Sequence, residues 1–147
     1  MAPLFTGLRL GFGRVTAAEV AVVGTNYSSL WSANVVNGQN AFDGSTSTSP
    51  SKNTSGNASL TFSPAITGVT QLRLFVNEDQ DIYGSRYALV NGSSNPTGAL
   101  FGAWKDYTAQ LGGTTLTSIG WVGTGNAASS LTLYAVEVNG VILVDGS

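Results

Sequence analysis

Asn40, Asp43 and Ser45 stand close together in the segment Asn40-Ala41-Phe42-Asp43-Gly44-Ser45-Thr46. Side-chain oxygens at that spacing, around a bend that glycine permits, are what a calcium-sized cation needs. The same residues also read as an Asx-turn that closes a loop with Phe42 tucked beneath it. Glu137 is a second candidate. Counted in twos from Leu131 through Leu133 and Ala135, it falls on the apolar side of a strand unless a bulge intervenes. A carboxylate in that position must be paired or must hold a cation, because burying it alone is costly. Arg73 and Arg86 are the partners available within the chain, and a cation is the alternative.

Other groups carry less. Glu78, Asp79 and Asp81 form an acidic run just after the alternating Leu72, Leu74 and Val76. Carboxylates so close can do acid–base or calcium chemistry, but at the end of a strand they are expected to form a solvated turn. A glycosidase needs two carboxylates facing each other across a cleft, and no spacing among Asp79, Asp81, Asp106 and Glu137 supports such a pair. Gly11-Phe12-Gly13 lacks the Lys-Ser/Thr and the strand-to-helix context of a phosphate loop. Trp31, Trp104, Trp121, Tyr27, Tyr83, Tyr87 and Tyr107 supply either a sugar-stacking surface or, as we expect, the core of a sandwich.

What the chain lacks is as informative. With no His and no Cys among its 147 residues, thiol nucleophiles, histidine triads and imidazole or thiolate zinc sites are excluded. Any metal must be a hard cation on oxygen ligands. Charged residues make up 10% of the sequence and the formal charge is −2, against a usual charged share of roughly 25%. That balance predicts no nucleic-acid partner and no membrane insertion. No apolar run reaches the length of a membrane span, and Arg9, Gly11, Gly13 and Arg14 interrupt the place where a leader's apolar region would continue.

The elements that must position these residues read as strands. From Val15 onward, apolar bursts are separated by Gly, Asn, Ser or Pro: Val20 to Val23, Leu60 with Phe62, Leu72 to Val76, Tyr87 to Val90, Leu116 to Val122 and Leu131 to Val138. Asn139-Gly140 leads from the last of these into Val141 to Val144, and Asn-Gly between two β-rich runs predicts a hairpin with a type I′ turn. Val-Asn-Gly recurs at Val36 and Val90 with unequal spacing, as turn chemistry and not as a structural repeat. Short helices are candidates at 17–22 and 103–111, and the polar stretch 37–57 is long enough to be functional or mobile. The expectation is all-β: an antiparallel jelly-roll β-sandwich of about eight strands over 15–147. Residues 1–14 precede it as an extended N-terminal arm, with Leu8, Leu10 and Phe12 alternating with Arg9, Gly11 and Gly13 and followed by Arg14. The same segment also reads as a first strand of the sandwich or a frayed tail.

Two blocks carry a resemblance. Asn40-Ala-Phe-Asp-Gly-Ser-Thr-Ser-Thr resembles the N-A-x-D-G-x-x-x-T signature of discoidin-type, galactose-binding-like domains. Leu133-Tyr-Ala-Val-Glu-Val-Asn-Gly is similar to their closing strand. The resemblance implies a jelly-roll fold and, from calcium-binding members, a Ca2+ site at Asn40, Asp43, Ser45 and Glu137. The tryptophan that often follows the threonine is replaced here by the continuing Ser47-Thr48-Ser49-Pro50, and the histidine and paired arginines of fucose-binding members are not recognisable. The closing stretch also looks like the tails of virion proteins of tailed phages, especially those of marine cyanobacteria, and the opening fourteen residues resemble the short N-terminal pieces such proteins carry. This implies a non-enzymatic component on the virion surface, assembled in the host cytoplasm, with the major capsid protein or a tail protein as partner and self-association into a homo-oligomer as an option. Leu8, Arg9, Leu10, Phe12 and Arg14 would be its partner-binding residues. The alternative is a carbohydrate-binding adhesin that recognises a host surface glycan.

Overall fold

A computed structural model of the protein describes residues 25–81, 84–95, 98–125 and 130–146. The arm at 1–14, with Leu8, Arg9, Leu10, Phe12 and Arg14, and the helix candidate at 17–22 lie outside the described residues. Among the described residues ten strands follow one another: β1 (Val35–Val36), β2 (Ser51–Lys52), β3 (Ala58–Thr67), β4 (Leu72–Asp81), β5 (Gly84–Val90), β6 (Ser93–Ser94), β7 (Leu100–Asp106), β8 (Thr115–Gly123), β9 (Leu133–Val138) and β10 (Val141–Ile142). Single 3-10 turns occupy Tyr27–Leu30, Gly38–Ala41 and Thr108–Leu111. The protein is all-β, as its alternating apolar pattern and turn-rich composition predict.

Eight of the strands form one curled antiparallel sheet in the order β10-β9-β4-β5-β8-β3, with β7 also paired to β4 and β6 to β5. Strand β4 is the seam. Its first part pairs with β9 on one side and β7 on the other, whereas Asp79, Gln80 and Asp81 turn to pair with β5. The sheet thereby folds over on itself as a β-sandwich and encloses an apolar core. Leu72, Leu74 and Val76 of β4 are fully buried, as their alternation with Gln71, Arg73 and Asn77 requires, and they meet Trp121, Ile119 and Leu60 from the opposite layer within one cluster. The separate ribbon β1–β2 and the turn Gly38–Ala41 give the polar stretch 37–57 a definite course.

The hairpin at Asn139-Gly140 forms as predicted, and Asn91-Gly92, where a strand was expected to end, closes a second one. Asn139 and Gly140 take φ 51° and 80°, Asn91 and Gly92 take 49° and 84°, and they close the pairs Val138↔Val141 and Val90↔Ser93. Asn37 shares the left-handed backbone but opens a 3-10 turn instead of a hairpin. One expectation needs correction. Residues 103–111 are not a helix: Ala103 to Asp106 belong to β7, and only Thr108–Leu111 coils. Pairing with β4 satisfies the backbone there, and tertiary pairing overrides a weak helical propensity. Strand β3 runs through Ser63-Pro64. β3 continues to Thr67, with its pairing to β8 shifted between Thr61 and Ile66, and an edge strand with an irregular ladder is where a sheet tolerates proline.

Candidate functional site

The Asp43 loop is held together by its own side chains. Asp43 Oδ1 accepts from the Ser45 amide at 2.8 Å, and Oδ2 accepts from Thr48 Oγ1 at 2.5 Å. The Ser45 hydroxyl accepts from the Ser47 amide at 3.0 Å, and Asn40 Nδ2 donates to the Ser49 carbonyl at 3.1 Å. Phe42 lies buried beneath, stacked on Tyr27 with ring centroids 5.3 Å apart, and its carbonyl accepts from the Asp145 amide. These are the bonds of an Asx-turn over a buried aromatic ring. Asn40, Asp43 and Ser45 thus share one loop, with Gly44 at φ 79° supplying its bend.

Glu137 is engaged elsewhere. Phe75 pairs with Ala135 but Val76 pairs with Leu133, so an extra residue at Tyr134 bulges β9 and reverses the faces beyond it. Leu133, Val136 and Val138 join the core cluster, while Glu137 sits opposite Arg73 on the other side of the sheet. This corrects the apolar row on which counting in twos placed it. Both Glu137 oxygens accept from Arg73, Oε1 from Nε and Oε2 from Nη2, each at 2.7 Å. That bidentate pairing is the strongest geometry open to the two groups, and it pushes the Arg73 guanidinium further up from its ordinary value. Arg73 was one of the two partners the sequence offered. The other, Arg86, lies over the exposed Phe101 ring at 5.9 Å, its Nε buried without a hydrogen-bond partner among the described residues.

Around Arg73 the outer face of the sheet gathers aromatic residues. Its guanidinium stands 5.2 Å from the Trp104 ring centre. Phe75 meets Trp104 edge-on at 5.4 Å and Tyr134 at 5.9 Å. Asn77 donates to the Tyr134 hydroxyl and accepts from the Gly102 amide, where Gly102 at φ 58° marks the shift in the β4–β7 ladder. Trp121, Tyr27 and Tyr107, in contrast, are core residues.

The acidic run is divided by the fold. Glu78 was expected in a solvated turn, but it is 2% exposed, because it continues the inward row Leu72, Leu74, Val76 by two more residues. Its Oε1 accepts from the Ala88 amide at 2.8 Å and from the Tyr107 hydroxyl, and its Oε2 accepts from Lys105 Nζ. Lys105 also donates to the Asn95 carbonyl. Burial in the core, reinforced by the bond to Glu78, pushes the Tyr107 hydroxyl far above the usual tyrosine range. The pairing of β4 with β5 stops at Asp79↔Arg86; just beyond it Glu78 takes the Ala88 amide, so the carboxylate completes the seam where one strand changes layers. Counting in twos from Leu72 would have found this site.

Among the described residues, no group of three or more Asp or Glu side chains is placed to hold a metal ion. Comparison of the chain with protein-family models, curated proteins and solved structures finds no match.

Proposed function

We propose that this chain is a non-enzymatic structural protein of a tailed-phage particle, a β-sandwich that decorates the capsid surface through its N-terminal arm. The observation that carries the non-enzymatic part is where the carboxylates go. Asp43, Glu78, Asp106, Glu137 and Asp145 each accept a hydrogen bond from a group within the fold, so these acids serve the architecture. The virion assignment is supported by the likeness of the closing strand β9 and of residues 1–14 to virion proteins. Added as a strand to an exposed edge of a capsid subunit, residues 1–14 would gain main-chain hydrogen bonds, with Leu8, Leu10 and Phe12 in pockets and Arg9 and Arg14 on acidic groups.

Deletion of residues 1–14 tests the reading. The truncated protein is expected to keep the melting temperature of the full chain and to stop co-sedimenting with capsids assembled from the phage's major capsid protein. A truncated protein that still decorates those capsids would overturn it.

A further inference from the structure

Val-Asn-Gly occurs three times, and its asparagines share one backbone conformation, with φ of 56° at Asn37, 49° at Asn91 and 51° at Asn139. Because the immediate sequence and the backbone hand are the same, the surroundings of the side chains make the difference between them. An asparagine followed by glycine is prone to deamidation, since the glycine amide has no Cβ beside it to obstruct its approach to the asparagine side chain. The amide nitrogen bonds to Cγ, ammonia leaves, and a succinimide ring closes. Water then opens the ring at either carbonyl, giving aspartate or isoaspartate. The reaction needs only water, and it requires a side chain free to rotate toward the following amide.

Two of the three side chains are tethered. Asn139 Oδ1 accepts from the Thr70 amide, the Thr70 hydroxyl and the Gln71 amide at 2.8 to 3.0 Å, while its Nδ2 donates to the Gly68 carbonyl at 2.9 Å. Asn91 is held the same way. Its Oδ1 accepts from the Thr117 amide and hydroxyl and from the Ser118 amide, and its Nδ2 donates to the Leu111 and Thr115 carbonyls. Asn37 is exposed and its side chain makes no capping hydrogen bond.

We infer that Asn37 is the deamidation site of the native protein, and that the fold protects Asn91 and Asn139 from the same reaction. Releasing several tethering bonds before attack slows the protected sites at least about tenfold. Conversion has a local consequence. It places a new carboxylate at the head of the turn Gly38–Ala41, and the isoaspartate product adds a methylene to the backbone there. The Gly38 carbonyl accepts from Trp31 Nε1 at 3.2 Å, and a Cβ on Gly38 would fall 2.5 Å from Trp31 Cδ1. Packing that close cannot absorb a lengthened turn, so Trp31 moves with it.

The test is to age the full-length native protein in mildly alkaline buffer and to follow the three Asn-Gly peptides by mass spectrometry after digestion, beside a sample aged in denaturant. In denaturant the three are expected to convert at comparable rates. In the native protein the Asn37 peptide is expected to gain the mass of an amide-to-acid change at least about tenfold faster than the other two. Tryptophan emission should change in step, and Asn37→Gln should abolish both signals. Native conversion at Asn91 or Asn139 as fast as at Asn37 would overturn the assignment. So would an inert Asn37 in the native protein, or a preference for Asn37 that persists in denaturant.

Discussion

Glu78 and Lys105 meet inside the sandwich, 2% and 7% exposed, with Tyr107 and the Ala88 amide completing the carboxylate's bonds. A buried ion pair need not favour folding over an apolar replacement, but removing one partner leaves an uncompensated charge. Lys105→Met is therefore expected to cost about 3–5 kcal/mol in urea titration. Glu78→Gln combined with Lys105→Met removes the charge while keeping an acceptor for Tyr107 and Ala88, and should recover about 1–3 kcal/mol of that loss. A double variant no more stable than Lys105→Met would mean that the lysine acts through packing instead of charge. The same two-residue period explains what was legible at this scale. Extended past Leu133 the period misplaces Glu137, because the bulge at Tyr134 reverses the face; extended past Val76 it places Glu78 on the inward row, where the alternation runs on unbroken. A bulge leaves no mark in the local pattern of residue types. The burial of Glu78 was readable in the row Leu72, Leu74, Val76, but its partners were not, since Lys105 and Tyr107 reach it only through the pairing of β7 with β4.

At the scale of elements, the hairpin turns were the most readable features, because positive φ at two successive residues restricts the choice to very few residue types. What the sequence could not show is that the asparagines also anchor neighbouring loops. Asn139 joins the β9–β10 hairpin to the connection before β4, and Asn91 joins the β5–β6 hairpin to the start of β8. Substitution can separate the two roles of Asn139. Asn139→Gly keeps the backbone conformation and loses the side-chain bonds, for an expected cost of about 1–3 kcal/mol. Asn139→Ala loses those bonds and also strains the left-handed residue, adding about 1–2 kcal/mol. Thermal or urea unfolding of the two variants checks the order, and equal losses would show that the turn conformation adds nothing. The false helix at 103–111 has the opposite origin. Its weak local signal was outweighed by the β4–β7 ladder, which joins segments about thirty residues apart and has no local signature.

At the scale of the molecule, a chain with few charges depends on its core, and Tyr107, Tyr27 and Lys52 couple that core to pH. Tyr107 is raised well above its ordinary value of 10.0, first by burial and then by the bond to Glu78; Tyr27 is raised as well, chiefly by burial. Below about pH 10 the folded and unfolded chains both keep the Tyr107 proton, and its contribution to stability is complete. Above that value the unfolded chain releases the proton and the folded chain retains it, so stability falls by up to about 1.4 kcal/mol per pH unit for this one group. Lys52 acts with the opposite sign. Burial lowers its pKa from 10.5, so its contribution rises as pH climbs toward that value and is complete above it. The two effects separate above about pH 10.5, where the Lys52 contribution is complete and those of Tyr107 and Tyr27 still change. The melting temperature should therefore drop steeply there. Tyr107→Phe is expected to melt lower at neutral pH, because Glu78 loses a donor, and to fall less steeply above pH 10.5. Parallel alkaline slopes for the two proteins, measured by calorimetry across that range, would show that Tyr107 gives up its proton in the fold as readily as in the unfolded chain, and that the seam at Glu78 opens before the sandwich melts.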